Sequence, residues 1–191
     1  MAKTTFLANS TLFLLILKDV KMPEILTKIS RCVKLATTAQ VVAEVESKLK
    51  EKGLSNMMTY VGQCVDEIYN SDELEVRENN PMMIHEPFLG RGEFSLVLVF
   101  WHLWYRRNVR NLYIITDDKS ARKYIVKNIN EIPNDRILWS LKFLDEFIVP
   151  RCGMDPDTFL RLLKLLEKSE FRISKKILEF YYKKYKKSEG T

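Results

Sequence analysis

Tyr113-Ile114-Ile115-Thr116-Asp117-Asp118-Lys119-Ser120-Ala121-Arg122 is an apolar run that ends in Thr-Asp-Asp and passes at once into a helical pattern. Parallel α/β sheets bind ligands at the carboxyl ends of their strands. The stretch therefore predicts a parallel strand over residues 112–115, a helix over 119–128, and two carboxylates, Asp117 and Asp118, on the binding rim. Oxygen ligands of this kind suit a hard divalent cation.

The same alternation repeats outward from that point. Residues 4–8 read as a buried strand, 12–18 as a helix capped by Ser10 or Thr11, 24–30 as a helix with Pro23 at its first turn, and 33–36 as a short strand. A long helix opens at Thr37 or Thr38 and stops at Gly53; Val41, Val45 and Leu49 give it one apolar face. Residues 56–69 read as helix. Residues 73–77 alternate apolar and charged side chains, as an edge strand would, and 79–91, with Pro81 and Pro87, read as a loop. The helix at 92–106 is apolar on most sides and is expected to be buried. A last short strand falls at 137–139, with helices at 141–149, 156–168 and 174–187. This order predicts an α/β fold: three layers, α/β/α, around a mostly parallel central sheet. The α/β domain spans 1–150. Residues 151–191 form a helical C-terminal extension packed on it, because the joint at 150–153 is too short for a flexible linker.

The chain has 191 residues, 46% hydrophobic and 29% charged, enough for one domain with a sizeable core. Its net charge of +6 favours an anionic partner such as nucleic acid, the alternative being a basic surface kept for solubility. Cys32, Cys64 and Cys152 lie far apart with no C-x-x-C pair, which gives no zinc pattern. Their odd number argues against a disulfide framework and for a reducing, cytoplasmic location. Residues 6–17 resemble a short leader, but Asn9, Ser10 and Thr11 interrupt it and no small-x-small cleavage site follows. The run is also too short to span a bilayer, so no membrane partner is expected.

Asn9 follows the first strand, Glu44 lies one turn into the long helix, Glu93 opens the apolar helix, and Asp117 and Asp118 end the later strand. In a parallel sheet these can reach one rim, and an oxygen-only donor set points to Mg²⁺ or Mn²⁺. Each residue has a plainer reading. Asp117 or Asp118 could cap the following helix. Glu93 could answer the helix dipole. Glu44 could belong to a solvated helix face with Glu46 and Glu51, and Asn9 could be a turn residue.

Taken in order, these segments resemble the PIN-domain nucleases, in the branch related to prokaryotic toxin–antitoxin ribonucleases. The matching stretches are Asn9-Ser10-Thr11-Leu12-Phe13-Leu14, Val41-Val42-Ala43-Glu44-Val45, Gly92-Glu93-Phe94-Ser95-Leu96, Ile115-Thr116-Asp117-Asp118-Lys119-Ser120-Ala121-Arg122, and the helix opening Phe171-Arg172-Ile173-Ser174. The resemblance covers nearly the whole chain. It departs at Asn9, where most active members carry Asp, and at residues 53–87, which form an insertion. It implies metal-dependent phosphodiester hydrolysis, of RNA rather than DNA, with Glu44, Glu93, Asp117 and Asp118 as catalytic residues. Asn9, Glu93 and Asp118 would be the metal ligands. It also implies an antitoxin-like protein partner and a homodimer.

Arg106, Arg107 and Arg110 could flank the acidic rim and contact phosphate, or could answer the helix dipole. The tail carries Lys175, Lys176, Lys183, Lys184, Lys186 and Lys187 against Glu179 and Glu189, interleaved with Phe180, Tyr181, Tyr182 and Tyr185. That mixture suits nucleic-acid contact through Lys183, Lys184, Lys186 and Lys187. It equally suits a helix docked by its aromatics with the lysines in water. His85 and His102 show no ligand spacing. Three functions stay open: a PIN-like nuclease, a catalytically weak or inactive PIN-like module that binds nucleic acid or protein, and another phosphoryl-transfer fold with acidic strand ends.

Overall fold

The computed structural model describes residues 3–186. In chain order the elements are β1 (Thr5–Ala8), α1 (Ser10–Leu14, continued by a π-helical turn Leu15–Asp19), α2 (Glu24–Cys32), β2 (Lys34–Thr38), α3 (Ala39–Glu51), α4 (Met58–Cys64), β3 (Glu67–Tyr69) and α5 (Leu74–Arg77). Then follow a 3₁₀ segment Pro81–Phe88, α6 (Arg91–Trp101, continued by a π-helical turn His102–Arg106), β4 (Leu112–Ile115), α7 (Lys119–Asn128) and β5 (Ile137–Leu138). The chain closes through α8 (Ser140–Phe143, continued by a π-helical turn Leu144–Ile148), α9 (Val149–Arg151), α10 (Pro156–Glu167) and α11 (Lys175–Lys186).

The five strands form one sheet in the order β3-β2-β1-β4-β5, every pair parallel. Helices flank it in the three-layer α/β/α arrangement expected from the alternation of elements. All four residues of β1 are buried, the pattern of a parallel strand covered on both faces. Strand order runs outward from β1 through β2 to β3 and then returns to place β4 on β1's other side. The switch point therefore lies between β1 and β4, and in such sheets the crevice outside their carboxyl ends is where ligands bind.

Local chemistry fixes the helices that surround this crevice. Thr38 caps α3, its hydroxyl accepting from the Val41 amide, and Val41, Val45 and Leu49 are its buried face. Gly53, at φ +69°, supplies the left-handed residue beyond its end. In α6 the run from Phe94 to Phe100 is buried throughout, as a helix apolar on all sides must be. Asp155 caps α10 with Pro156 at its first position. Phe159, Leu162 and Leu163 of α10, and Leu178, Tyr181 and Tyr185 of α11, join the same hydrophobic core as the sheet. Among the described residues, no helix is long and apolar enough to cross a membrane.

Three local expectations are corrected. The helix read at 56–69 ends at Cys64, and Glu67–Tyr69 is the edge strand β3. Asp66 starts that strand: its amide donates to the Leu35 carbonyl and its carboxylate accepts the Leu35 amide at 2.8 Å. Residues 73–77 are not a strand but hold the single turn α5, which buries Val76 and leaves Leu74 73% exposed, so their period of two is not used. The loop at 79–91 contains the 3₁₀ segment. Buried Asn80 caps it and ties it down, accepting from the Met82 amide and donating to the Val76 and Leu98 carbonyls.

The cysteines give a fourth correction. Cys32, at the end of α2, and Cys152, after α9, form a disulfide across a sequence separation of 120, and Cys64 is a buried free thiol. An odd count leaves one cysteine over; it does not keep the other two apart.

Candidate active site

Asn9 stands where β1 hands over to α1. It is 1% exposed and every polar atom of its side chain is engaged. Its Nδ2 donates to Glu93 Oε1 at 2.6 Å and to Thr116 Oγ1 at 3.2 Å, and its Oδ1 accepts the Ser10 amide at 2.7 Å. Asn9 thus cross-links the carboxyl ends of β1 and β4 to the start of α6, across the switch point.

Gly92 explains how the third element comes close. A Cβ at this position would lie 3.1 Å from Asn9 Oδ1 and 3.1 Å from Glu44 Oε2. Those two oxygens therefore sit no more than about 6.2 Å apart, facing the bare backbone of α6. Gly90 has the same relation to Glu93, since its Cβ would come within 2.6 Å of Glu93 Oε2. The glycines of Gly90-Arg91-Gly92-Glu93 leave room for carboxylates against a helix start. Glu44 and Glu93 line one cleft of about 460 Å³ together with Gln40 and Arg91.

Asp118 completes the group electrostatically. Its Oδ1 caps α7, accepting the Ser120 and Ala121 amides at 2.7 and 2.8 Å, so the capping reading holds for this residue. It also acts on Glu93. Burial pushes the Glu93 carboxyl above its ordinary value, and Asp118 and Glu44 push it further, while its own backbone amide and Asn9 pull it down. Asp117 faces the other way. Its carboxylate accepts the Ser140 amide at 3.0 Å and the Ser140 hydroxyl, its own amide donates to Thr11 Oγ1 at 3.2 Å, and burial holds its carboxyl above the ordinary range. It ties β4 to α1 and to the start of α8.

The crevice thus gathers Asn9, Glu44, Glu93 and Asp118, with Asp117 as a brace beside them. The donors are oxygens of the kind a hard dication takes, and the Glu93 carboxyl is raised chiefly by burial, with smaller contributions from Asp118 and Glu44. Their spacing is open: among the described residues, no three His, Cys, Asp or Glu side chains gather closely enough to hold a metal ion.

The basic residues expected beside the rim lie elsewhere. Arg106 is 13 residues beyond Glu93 along α6 and its π-helical turn, roughly 20 Å at 1.5 Å per residue. It donates to the Glu78 carbonyl and lies over Trp101. Arg107 is paired with Glu75, and Arg110 lies over Trp104 and donates to Asn108. All three sit near the amino end of β4, on the opposite rim of the sheet.

In α11, Lys184 is bound to Asp145 at 2.6 and 2.7 Å, and Tyr185 donates to the same carboxylate. That is a structural clamp, with Tyr181 and Tyr185 packed on Phe159. Lys183 and Lys186 are exposed, Lys186 over the ring of Tyr182, and Lys187 lies outside the described residues. Tyr181 and Tyr185 dock this helix, whereas Phe180 is 61% exposed.

Gln40 and Ser140 are not singled out by sequence, whereas Thr11 reads as a cap and Arg122 as part of the stretch after Asp118. Ser140 and Thr11 position Asp117. Gln40 donates to Asp72, while its buried Oε1 has no partner among the described residues, beside the cleft that Glu44 lines. Single polar residues of this sort carry no spacing that marks them. No protein-family model, curated protein or solved structure matches the chain.

Proposed function

We propose that this protein is a PIN-like, metal-dependent nuclease that hydrolyses phosphodiester bonds in RNA. The observation that carries the reading is the convergence of Asn9, Glu44, Glu93 and Asp118 at the carboxyl ends of β1 and β4, with glycines clearing the space between them. The preference for RNA over DNA comes from the resemblance of the ordered motifs. Glu93 and Asp118, with Glu44 beside them, would have to draw closer than they stand here to hold Mg²⁺ or Mn²⁺. When bound, such an ion supplies a water acidic enough to attack at neutral pH and neutralises charge on the phosphate.

The chain's own residues do the positioning. Asn9 fixes the Glu93 carboxylate by hydrogen bond, Thr116 steadies Asn9, and Asp118 is held by two backbone amides so that its place does not depend on a ligand. Asp117 is a positioning residue, which holds the β4 turn through Ser140 and Thr11.

One observation favours the second reading, a weakly active or inactive binding module. Asn9 contributes no charge, and its amide oxygen is taken by the Ser10 amide, which leaves the site one carboxylate short. A quenched single-stranded RNA reporter with Mn²⁺ or with EDTA separates the two. The nuclease reading expects Mn²⁺-dependent cleavage that Asp118→Asn and Glu93→Gln abolish, together with loss of Mn²⁺ binding by calorimetry. Cleavage that persists in EDTA or in both variants refutes it. Mn²⁺ binding without cleavage supports the inactive module.

A further inference from the structure

A second cleft, of about 430 Å³, opens between α7 and the segment joining α10 to α11, on the Asp117 side of the β4–α7 turn. Asp117 forms part of its wall. Its lining also includes the cations Lys119, Arg122 and Arg172 and the rings of Trp139 and Phe171, together with aliphatic side chains. Lys119 and Arg172 are exposed, while Arg122, Trp139 and Phe171 are half-buried. Arg122 lies 5.0 Å over the Trp139 ring and within electrostatic reach of Asp117 and Asp118, so its cation is anchored at the boundary between the two clefts. Trp139 is braced from below by Tyr181, to whose hydroxyl it donates at 3.4 Å.

We infer that this cleft binds the strand that the carboxylate site acts on, with backbone phosphates on Lys119, Arg122 and Arg172 and a base against Trp139 and Phe171. The inference rests on the nuclease reading for its choice of single-stranded RNA. The argument for that occupant is charge and shape. Three cations face one carboxylate, and that carboxylate, Asp117, is already occupied by Ser140. Aromatic rings beside cations are the features that take single strands with little regard to sequence. Guanidinium groups and ring faces likewise take bases that are free to splay out. The position supplies what the carboxylates lack. Glu44, Glu93 and Asp118 repel a polyanion, and a cationic cleft one residue along the chain from Asp118 would hold the strand against that repulsion. The C-terminal segment then has a function besides packing, because Phe171 and Arg172 bring one wall of the cleft to the sheet.

The test measures binding of a short fluorescein-labelled single-stranded RNA to the full chain by anisotropy in EDTA, where no cleavage can occur, across a range of salt. Arg172→Gln is expected to weaken binding and to lower the slope of log K against log salt by about 0.7, the value for one phosphate contact on a single strand. Trp139→Leu should weaken it by roughly 10-fold or more, the loss of one stacked base. Lys50→Gln, exposed near the end of α3 and lining neither cleft, serves as the comparison and should change neither affinity nor slope by as much. Arg172 is exposed, so its variant remains informative if Trp139→Leu folds poorly. Native affinity and slope in folded Arg172→Gln, or no RNA binding by the native chain, would overturn the assignment. RNA bound in this cleft by a chain that does not cleave with Mn²⁺ sinks the nuclease reading and leaves the cleft standing. Cleavage with unchanged affinity in the variants does the reverse.

Discussion

Asn9→Asp exchanges an NH₂ group for an oxygen at the centre of the carboxylate cluster with almost no change of size. In the native chain, Nδ2 donates to Glu93 at 2.6 Å, a hydrogen bond to a charged acceptor. Such bonds contribute about 1.5–3 kcal/mol. The substitution removes this bond and sets two carboxylates against each other where burial already raises the Glu93 carboxyl. Like charges at that separation cannot both ionise, so the pair takes up a proton, which limits the loss to about 2–3 kcal/mol. For a chain of this length each kcal/mol shifts the melting temperature by about 2–4 °C, so the variant in EDTA should melt roughly 4–12 °C below the native protein. A divalent cation should reverse the loss, since ligand at 100 times its Kd returns about 2.7 kcal/mol. Native protein should respond less to Mn²⁺, because its Oδ1 is spent on the Ser10 amide. The assay is a thermal melt of both proteins over a Mn²⁺ titration, with EDTA as the zero point. A variant that melts with the native protein in EDTA, and that Mn²⁺ does not stabilise, would show that Asn9 does not set the electrostatics of this crevice.

Two further outcomes follow from the same contacts. Reduction, or Cys32→Ser with Cys152→Ser, should lower stability by about 2–4 kcal/mol, below the roughly 4.9 kcal/mol that loop-closure entropy gives for a separation of 120. The check is a melt with and without reductant alongside thiol counting by mass; an unmoved melt once counting shows the pair reduced refutes the estimate. Glu93→Gln should stabilise the metal-free protein at neutral pH. A carboxyl whose folded value is raised favours folding at acid pH and loses that contribution as pH rises from its ordinary value through the raised one. The variant's advantage should therefore fade as pH falls below the ordinary carboxylate range; denaturant melts at several pH values would expose an advantage that instead grows in acid.

Much of the fold was legible because it rests on signals that tertiary context reinforces. The strands β1 and β4 are short runs rich in apolar residues, and burial on both faces demands that composition. Val41, Val45 and Leu49 point inward as their spacing requires. What failed had no long-range signature. Glu67–Tyr69 is three residues on an edge, with Ile68 52% exposed, and nothing in its pattern separates it from the end of α4. Glu73–Arg77 carries a clean period of two but is too short to choose, and it makes one helical turn. Of the candidate residues, Asn9 and Asp118 follow strand ends and Glu93 opens a helix, while Glu44, one turn into α3, is marked only by its spacing from Val41. Asp117 and Asp118 could not be told apart in advance, since which of two neighbours turns to Ser140 depends on β5. The arginines at 106, 107 and 110 do not flank the carboxylates, because proximity in sequence to β4 does not say at which end of the strand they stand.

The turn between β4 and α7 carries both Asp118, which acts on Glu93, and Asp117, which lines the second cleft, and that turn decides how the two are coupled. Asp118 uses one oxygen to cap α7, while Asp117 uses its carboxylate to hold Ser140 at the start of α8. Neither acid can move without disturbing a helix start. The carboxylate site is thereby fixed to the sheet, and the adjoining cleft, whose wall contains Asp117, Arg122 and Trp139, is fixed to the same turn. A strand gripped by Arg122 would be placed relative to Asp118 by backbone and packing, not by flexible lysines on α11. Preorganisation of this kind is what positions a phosphate for attack. On this view, removing Asp117 would not delete a ligand. It would uncouple the grip from the carboxylates, so Asp117→Asn should leave RNA binding in EDTA near native and lower Mn²⁺-dependent turnover, whereas Asp118→Asn should abolish Mn²⁺ binding itself. Equal loss of Mn²⁺ binding in the two variants would show Asp117 to be a ligand and not a brace.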